Sequence, residues 1–172
     1  MSGESRKEPL EMESINKAIR ETCSRRLGVI DHGFLCQSIG AVNPHSPISV
    51  SISDTLKEVV AKLRSMKVGC VLVLDQAGKL AGIFSERDLT LKVGLSGNEH
   101  ANKAISEFMT AGPQTAHIND PIAYALNLMS AGGFRHLPIV DSDGNAVGII
   151  SVKDVVDFIV ATLVEDVLNF ET

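Results

Sequence analysis

The 172-residue chain repeats itself without a gap at an offset of 66 residues. "GIFSERD" at 82–88 returns as "GIISVKD" at 148–154, both reading Gly-Ile-apolar-Ser-x-x-Asp. Laying residues 47–88 over 113–154 pairs Pro47 with Pro113, Ile52 with Ile118, Asp54 with Asp120, Asp75 with Asp141 and Gly78 with Gly144. In the motif itself, Gly82, Ile83, Ser85 and Asp88 meet Gly148, Ile149, Ser151 and Asp154. A gapless repeat of this length implies one structural unit used twice.

Each copy reads as β-α-β-β-α. "PISVSIS" alternates like a short strand. "DTLKEVVAKLRSM" sets Leu56, Val59, Val60, Leu63 and Met66 on one helical face, and "DPIAYALNLMS" does the same with Ile122, Ala125, Leu126 and Met129. Pro121 suits a first helical position, which makes Asp120, and by register Asp54, the expected N-cap. Gly69 and Gly132–Gly133 are the expected helix stops. "CVLVLD" and "HLPIVD" are apolar strands, "QAGK" and "SDGN" are turns, and "KLAGIF" and "NAVGII" are the returning strands. Gly82 and Gly148 are expected to allow close backbone approach within these hairpins. A second helix then begins at the motif and in copy two runs from about Lys153 to near Asn169. The predicted class is α+β: two tandem β-α-β-β-α units packed sheet to sheet as a pseudo-two-fold pair, with an extra N-terminal helix. The expected divisions are a tail and helix at 1–38, a first unit at 39–96 and a second at 97–172. Residues 1–12 are expected to be disordered, and 13–28 to form the extra helix between Ser14 and Gly28. Residues 94–105 connect the two units.

Hydrophobic residues make up 44% of the chain and aromatics only 4%, so the core must be aliphatic. A net charge of −5 argues against a general nucleic-acid or anionic-membrane surface. Three cysteines, Cys23, Cys36 and Cys70, match no zinc or disulfide framework, which points to a reducing cytoplasm. The N-terminus lacks the apolar segment of a secretory signal, and no run approaches the length of a membrane span. His32, His45, His100 and His117 are scattered without metal spacing. No triad, Walker loop or dinucleotide glycine fingerprint occurs, so no catalytic residues are assigned.

The tandem β-α-β-β-α unit, "RHLPIVD" at 135–141 and the Gly-Ile-x-Ser-x-x-Asp ending resemble the tandem cystathionine-β-synthase-type (CBS) domains over roughly residues 39–160. The chain departs at Leu72, where that family often has Pro, as at Pro138 here. The resemblance implies a non-catalytic sensor whose inter-domain clefts bind an adenine nucleotide such as AMP, ADP, ATP or NAD; some members bind S-adenosylmethionine. It also implies a homodimer and a separate, unknown regulated protein.

Residue chemistry agrees with a nucleotide. A strand running into a helix start gathers unpaired amides that favour phosphate. Ser85 and Ser151 add hydroxyl donors there, and Asp88 and Asp154 are suited to accept from a ribose diol. Arg87, Lys153, Arg135 and His136 are the candidate phosphate partners. The family's adenine slot maps onto Val50, Ser51 and Val71 in copy one and onto Ala116, His117 and Leu137 in copy two, with Ser49 and Thr115 at the small-hydroxyl position. Copy two groups Arg135 and His136 with Lys153; copy one has Gly69 and Cys70 beside Arg87, so the copy-two pocket is the expected polyphosphate site. A structural reading stands beside this one. Ser-x-x-Asp approximates a capping box, which stabilises a helix by about 1 kcal/mol and would recur in a repeat without any ligand. A ligand-free oligomerising scaffold is the alternative function, motivated by the apolar "VVDFIVATLV" near the C-terminus.

Overall fold

The computed structural model describes residues 32–94 and 97–169; the expected tail and helix at 1–28 lie outside them. A short helix α1 (His32–Leu35) and a 3-10 turn (Ile39–Val42) lead into the first unit. That unit comprises β1 (Ser49–Ser51), α2 (Leu56–Met66), β2 (Cys70–Leu74), β3 (Leu80–Ser85) and α3 (Glu86–Asp88), which a π turn (Leu89–Val93) continues. The connector holds α4 (Gly97–His100), a 3-10 turn (Ile105–Glu107) and β4 (Thr110–Ala111). The second unit is β5 (Ala116–His117), α5 (Ile122–Gly132), β6 (His136–Val140), β7 (Ala146–Ser151) and α6 (Val152–Asn169). This is the mixed α/β architecture expected from the repeat.

Two mixed sheets result, in the orders β1-β2-β3-β4 and β5-β6-β7. β1 runs parallel to β2 and β5 parallel to β6, while the hairpins β2–β3 and β6–β7 are antiparallel. β5 is shorter than β1 for a covalent reason. Leu72 donates its amide to the Ile48 carbonyl at 2.9 Å. Its counterpart Pro138 has no N–H to give, so pairing starts one residue later, at Ala116–Ile139. Val71 and Val73 face the helix-side core, and Leu72 on the opposite face is fully buried too. Leu137, Pro138 and Ile139 repeat that arrangement, so the central strands are covered on both faces.

The units exchange their leading segments. Ile39 and Val42, which precede unit one, lie in the core of unit two with Ile122, Leu137 and Ile150. Ile105 and Phe108, which precede unit two, lie in the core of unit one with Leu56, Val71 and Phe84. The backbone repeats this at the 66-residue offset: Ile39 donates to the Asp120 carbonyl and Ile105 to the Asp54 carbonyl, each at 2.8 Å. Ile122 and Leu56, the first residues of α5 and α2, donate to the carbonyls of Gln37 and Lys103 at 2.9 Å. Each crossing segment thereby satisfies one of the orphan amides of the other unit's helix. On the hairpin side, Lys79 of unit one donates through Nζ to the Asp143 carbonyl at 2.7 Å and to Asn145 Oδ1 at 2.8 Å.

Several local expectations are corrected. Thr55, not Asp54, caps α2, in a reciprocal box with Glu58; α5 starts after Pro121 with no side-chain cap. Asp54 and Asp120 turn backwards, accepting from the Ser51 amide at 3.0 Å and the His117 amide at 2.7 Å. α2 stops at Lys67, which adopts the left-handed φ of 53°, the register partner of Gly133 at 65°; Gly69 plays no part in the stop. Met66 is 51% exposed rather than in the core. Gly82 and Gly148 admit the crossing segments more closely than their own hairpin partners. A Cβ on Gly82 would overlap Met109 Sδ and sit 3.0 Å from the Thr110 carbonyl, where β4 joins β3; one on Gly148 would lie 3.1 Å from Pro44 Cβ.

Because the Thr55 side chain supplies one half of the reciprocal cap on α2, and Glu58 the other, Thr55→Ala should lower unfolding free energy by about 1 kcal/mol. Urea titration followed by circular dichroism checks it, and an unchanged midpoint would count against the cap.

Candidate functional site: an inter-unit cleft

At the exit of β3, Ser85 and Asp88 form a closed capping box. The Ser85 amide and hydroxyl donate to Asp88 Oδ2 at 3.0 and 2.6 Å, and the Asp88 amide donates to Ser85 Oγ at 3.3 Å. The exit of β7 repeats it, with Ser151 donating to Asp154 Oδ2 at 2.6 Å from its amide and 2.8 Å from its hydroxyl. The capping reading of the motif is thus realised in both copies. The neighbouring amides are also taken: Glu86 donates to the Gly69 carbonyl at 3.0 Å and Val152 to the Arg135 carbonyl at 3.1 Å. Protein acceptors therefore hold the amides of Ser85, Glu86 and Asp88 in one copy and of Ser151, Val152 and Asp154 in the other.

The second carboxylate oxygens diverge. Asp88 Oδ1 accepts from Lys92 Nζ at 2.8 Å and from Thr110 Oγ1 at 3.2 Å. Asp154 Oδ1 meets His45 Nε2 at 3.3 Å. Burial works against both carboxylates. Around Asp88 the Lys92 ammonium and the Ser85 donors outweigh it; around Asp154 the Ser151 donors and His45 do. Both pKa values end below the ordinary aspartate value.

Between the units lies a cleft of about 550 Å³, within the range of small-molecule sites. Unit one contributes Gly69, Ile83, Ser85, Glu86, Arg87, Asp88 and Leu91; the connector contributes Thr110, Gly112, Pro113 and Gln114; unit two contributes Gly132 through His136. Arg135 and His136 therefore face Ser85, Arg87 and Asp88 of the other unit, and Lys153 does not line this cleft. The reason is the crossing topology, which sets the start of β6 against the start of α3. Arg87 spans the cleft, donating from Nη1 to the Gly133 carbonyl at 2.7 Å. No hydrogen bond or ion pair holds the Arg135 side chain among the described residues. Leu91 is 71% exposed here, an apolar surface with no core to join. Among the described residues no amide donates to the Gln114 carbonyl, since Pro138 stands where Leu72 serves Ile48 in unit one.

The other sequence candidates lie elsewhere. The side chains of Val50, Val71, Ala116 and Leu137 are buried in the two cores. Ser49 offers its carbonyl to Lys62 Nζ at 2.7 Å, and Ser51 Oγ pairs with Ser53 Oγ at 2.9 Å. Thr115 and His117 flank and end β5 outside the cleft lining, with His117 exposed. Lys153 is exposed and ion-paired to Asp157, which raises its pKa. Cys70 is buried, which pushes its thiol up to about 12 and removes it as a nucleophile. Thr110, Gln114, Leu91 and Phe134 went unassigned in the sequence. A signal for the first two existed: Ile39 and Ile105 share the 66-residue register, so the repeat begins before Pro47 and carries the connector with it.

Three comparisons bear on the chain. The sequence profile of the CBS domain family matches residues 39–94 and 105–161. An uncharacterized protein of Methanopyrus kandleri is 30% identical over 137 residues, 78% of this chain and 70% of that protein. The crystal structure of the CBS-domain containing protein ATU1752 from Agrobacterium tumefaciens is similar at 29% identity and a TM-score of 0.64, over 70% of this chain and 97% of that one. The CBS domain pair of protein MJ0100, in complex with 5'-methylthioadenosine and S-adenosyl-L-methionine, aligns at 25% identity and a TM-score of 0.59, over 68% of this chain and 92% of that one. The chain spans only 21% of an Arabidopsis thaliana CBS domain-containing protein that it also matches.

Burial and the neighbouring Arg135 charge lower the pKa of His136 despite the pull of Asp154 and Glu86. The unfolded chain therefore protonates this residue first, so its stabilising contribution is full above the ordinary histidine value and is lost as pH falls below about 6.5. Thermal melts between pH 7.5 and 5.5 should show wild type losing more stability than His136→Gln, and parallel slopes would refute the neutral assignment.

Proposed function

This chain belongs to the CBS domain family, and on that premise we propose that it is a non-catalytic regulatory module that takes an adenosine-type ligand, AMP, ADP, ATP or NAD, in the cleft between its units. The observation that carries this reading is the convergence of Arg87 and Asp88 from one unit with Arg135 and His136 from the other on a single cavity. Ile83, Leu91, Pro113 and Phe134 offer apolar surface for a base, and the Gln114 carbonyl is an acceptor suited to an exocyclic amine. A ribose diol would compete with Thr110 and Lys92 for Asp88 Oδ1. The adenosine derivatives bound by the MJ0100 pair support the ligand class. A ligand walled by both units shifts their relative arrangement only by its differential affinity for the alternatives. The pseudo-equivalent position at Ser151, Lys153 and Asp154 is the weaker site, because His45 and Asp157 already engage its charges.

Differential scanning with AMP, ATP, NAD and S-adenosylmethionine tests the assignment. A ligand at a hundredfold excess over its Kd should add about 2.7 kcal/mol. Arg135→Ala should erase most of that gain, and no response to any of the four sinks the reading.

A second role is favoured by one surface. Val156 and Val160, four residues apart on α6, are 48% and 47% exposed on a helix whose Val155 enters the core. We propose that this stripe joins two copies into a homodimer. Sedimentation should show a dimer that Val156→Asp/Val160→Asp converts to monomer; a wild-type monomer refutes it.

A further inference from the structure

We infer that Lys92 is a built-in competitor for the ribose of a ligand in this cleft, and that a diol which displaces it from Asp88 loosens the turn Leu89–Val93. The inference rests on the cleft being an adenosine site. It goes beyond that reading by naming the group that opposes the ligand there and the segment that registers binding.

Asp88 has one carboxylate oxygen to offer. Its Oδ2 accepts from the Ser85 amide at 3.0 Å and the Ser85 hydroxyl at 2.6 Å, so a ligand that took this oxygen would open the capping box. Its Oδ1 accepts from Lys92 Nζ at 2.8 Å and from Thr110 Oγ1 at 3.2 Å, which fills both lone pairs. Lys92 Nζ also donates to Thr110 Oγ1 at 3.1 Å, so the three side chains close a ring. The Asp88 side chain is only 15% exposed, and little of the carboxylate is left for a further donor. A ribose diol therefore reaches Oδ1 by expelling one of the two donors already there. Thr110 is short and sits on β4, paired to Ile83 of β3. Lys92 is the one that can leave, because its strongly hydrated ammonium rides on a flexible stem and returns to water.

The repeat does not require this ring. At the 66-residue offset Phe158 replaces Lys92 and Pro44 replaces Thr110, and the Ser151–Asp154 box closes without either. The segment that carries Lys92 is also particular to unit one. Leu89–Val93 is a π turn, closed by the Gly94 amide donating to the Leu89 carbonyl, where the second copy continues as the regular helix α6. Single π turns of this kind recur at functional sites. Val93 anchors the turn in the core, while Leu91 stands exposed in the cleft lining. Lys92 ties the same turn to α3 through Asp88 and to β4 through Thr110. Displacing its ammonium removes both ties at once. The turn is then left on its backbone bonds, the Thr90 hydroxyl bond to the Glu86 carbonyl and the apolar contacts of Leu89 and Val93.

Isothermal titration of wild type and Lys92→Met with AMP and 2',3'-dideoxy-AMP tests the inference. The two nucleotides differ only in the diol, so their comparison cancels the charge that the variant removes. A partly exposed ion pair of this kind should suppress the wild-type preference for AMP, and Lys92→Met should raise that preference about fivefold. Hydrogen exchange at the amides of Leu89–Val93 should quicken when wild type binds AMP and not when it binds the dideoxy analogue. In Lys92→Met that exchange should be fast before either nucleotide is added. A folded Lys92→Met with an unchanged or smaller preference for AMP, or a turn whose exchange AMP does not quicken, overturns the inference while leaving the cleft an adenosine site. Failure of both nucleotides to bind wild type overturns it together with the function beneath it.

Discussion

The exchange of leading segments is the constraint on which the remainder of the molecule depends. Ile39 and Val42 complete the core of the second unit, and Ile105 and Phe108 complete that of the first. Each such side chain contributes about 1.5–3 kcal/mol when buried, and separating the units would expose them together. Backbone bonds at the same junctions, Ile39 to Asp120 and Ile105 to Asp54, would lose their partners in the same event. The two units accordingly hold each other's cores and form a common wall. That wall is what gives the cleft a fixed floor, since β4 and the residues after it run from one unit into the next along it.

Duplication supplies a symmetric frame, and a few divergent positions make one cleft chemically distinct. Both copies keep the Ser–Asp capping box, so that part of the repeat serves helix stability in each. Divergence sits in the partners. Gly69 and Cys70 stand where the other copy has Arg135 and His136, and the latter pair lines the cleft opposite Arg87 of unit one. Gly69 itself lies against the His136 ring, which a Cβ there would meet at 3.4 Å. Asp88 keeps Lys92 and Thr110 on its outer oxygen, while Asp154 keeps His45. One motif thus faces two electrostatic settings without any change in its own geometry.

Much of the fold was legible because strand and helix periods are local. The hairpins, the alternation of β-α-β-β-α and the length of α6 follow from spacing and turn residues within a dozen positions of each other. The local misreadings share a cause. Asp54 and Asp120 look like caps, but the residue after each begins the cap or the helix, because the aspartates are drawn back to the strand-end amides of Ser51 and His117. Lys67 ends α2 in a conformation that sequence assigns to glycine, since its amide bonds to the Leu63 and Arg64 carbonyls. Gly82 and Gly148 are read correctly as points of close approach, yet the approaching chain comes from the other unit's leader.

By itself the sequence determined the doubled unit, the strand and helix order, the aliphatic core and the set of polar residues from which a site has to be drawn. Which of those residues meet was decided only in three dimensions. The repeat puts Arg135 and His136 in the same copy as Lys153 and Asp154, but they line a cleft with Arg87 and Asp88. The physical reason is that a capping box satisfies itself within four residues and is visible in a window of that size. A cleft between units depends instead on the crossing of segments that the chain separates by tens of residues, and burial of Ile39, Val42, Ile105 and Phe108 in the opposite cores selects that crossing.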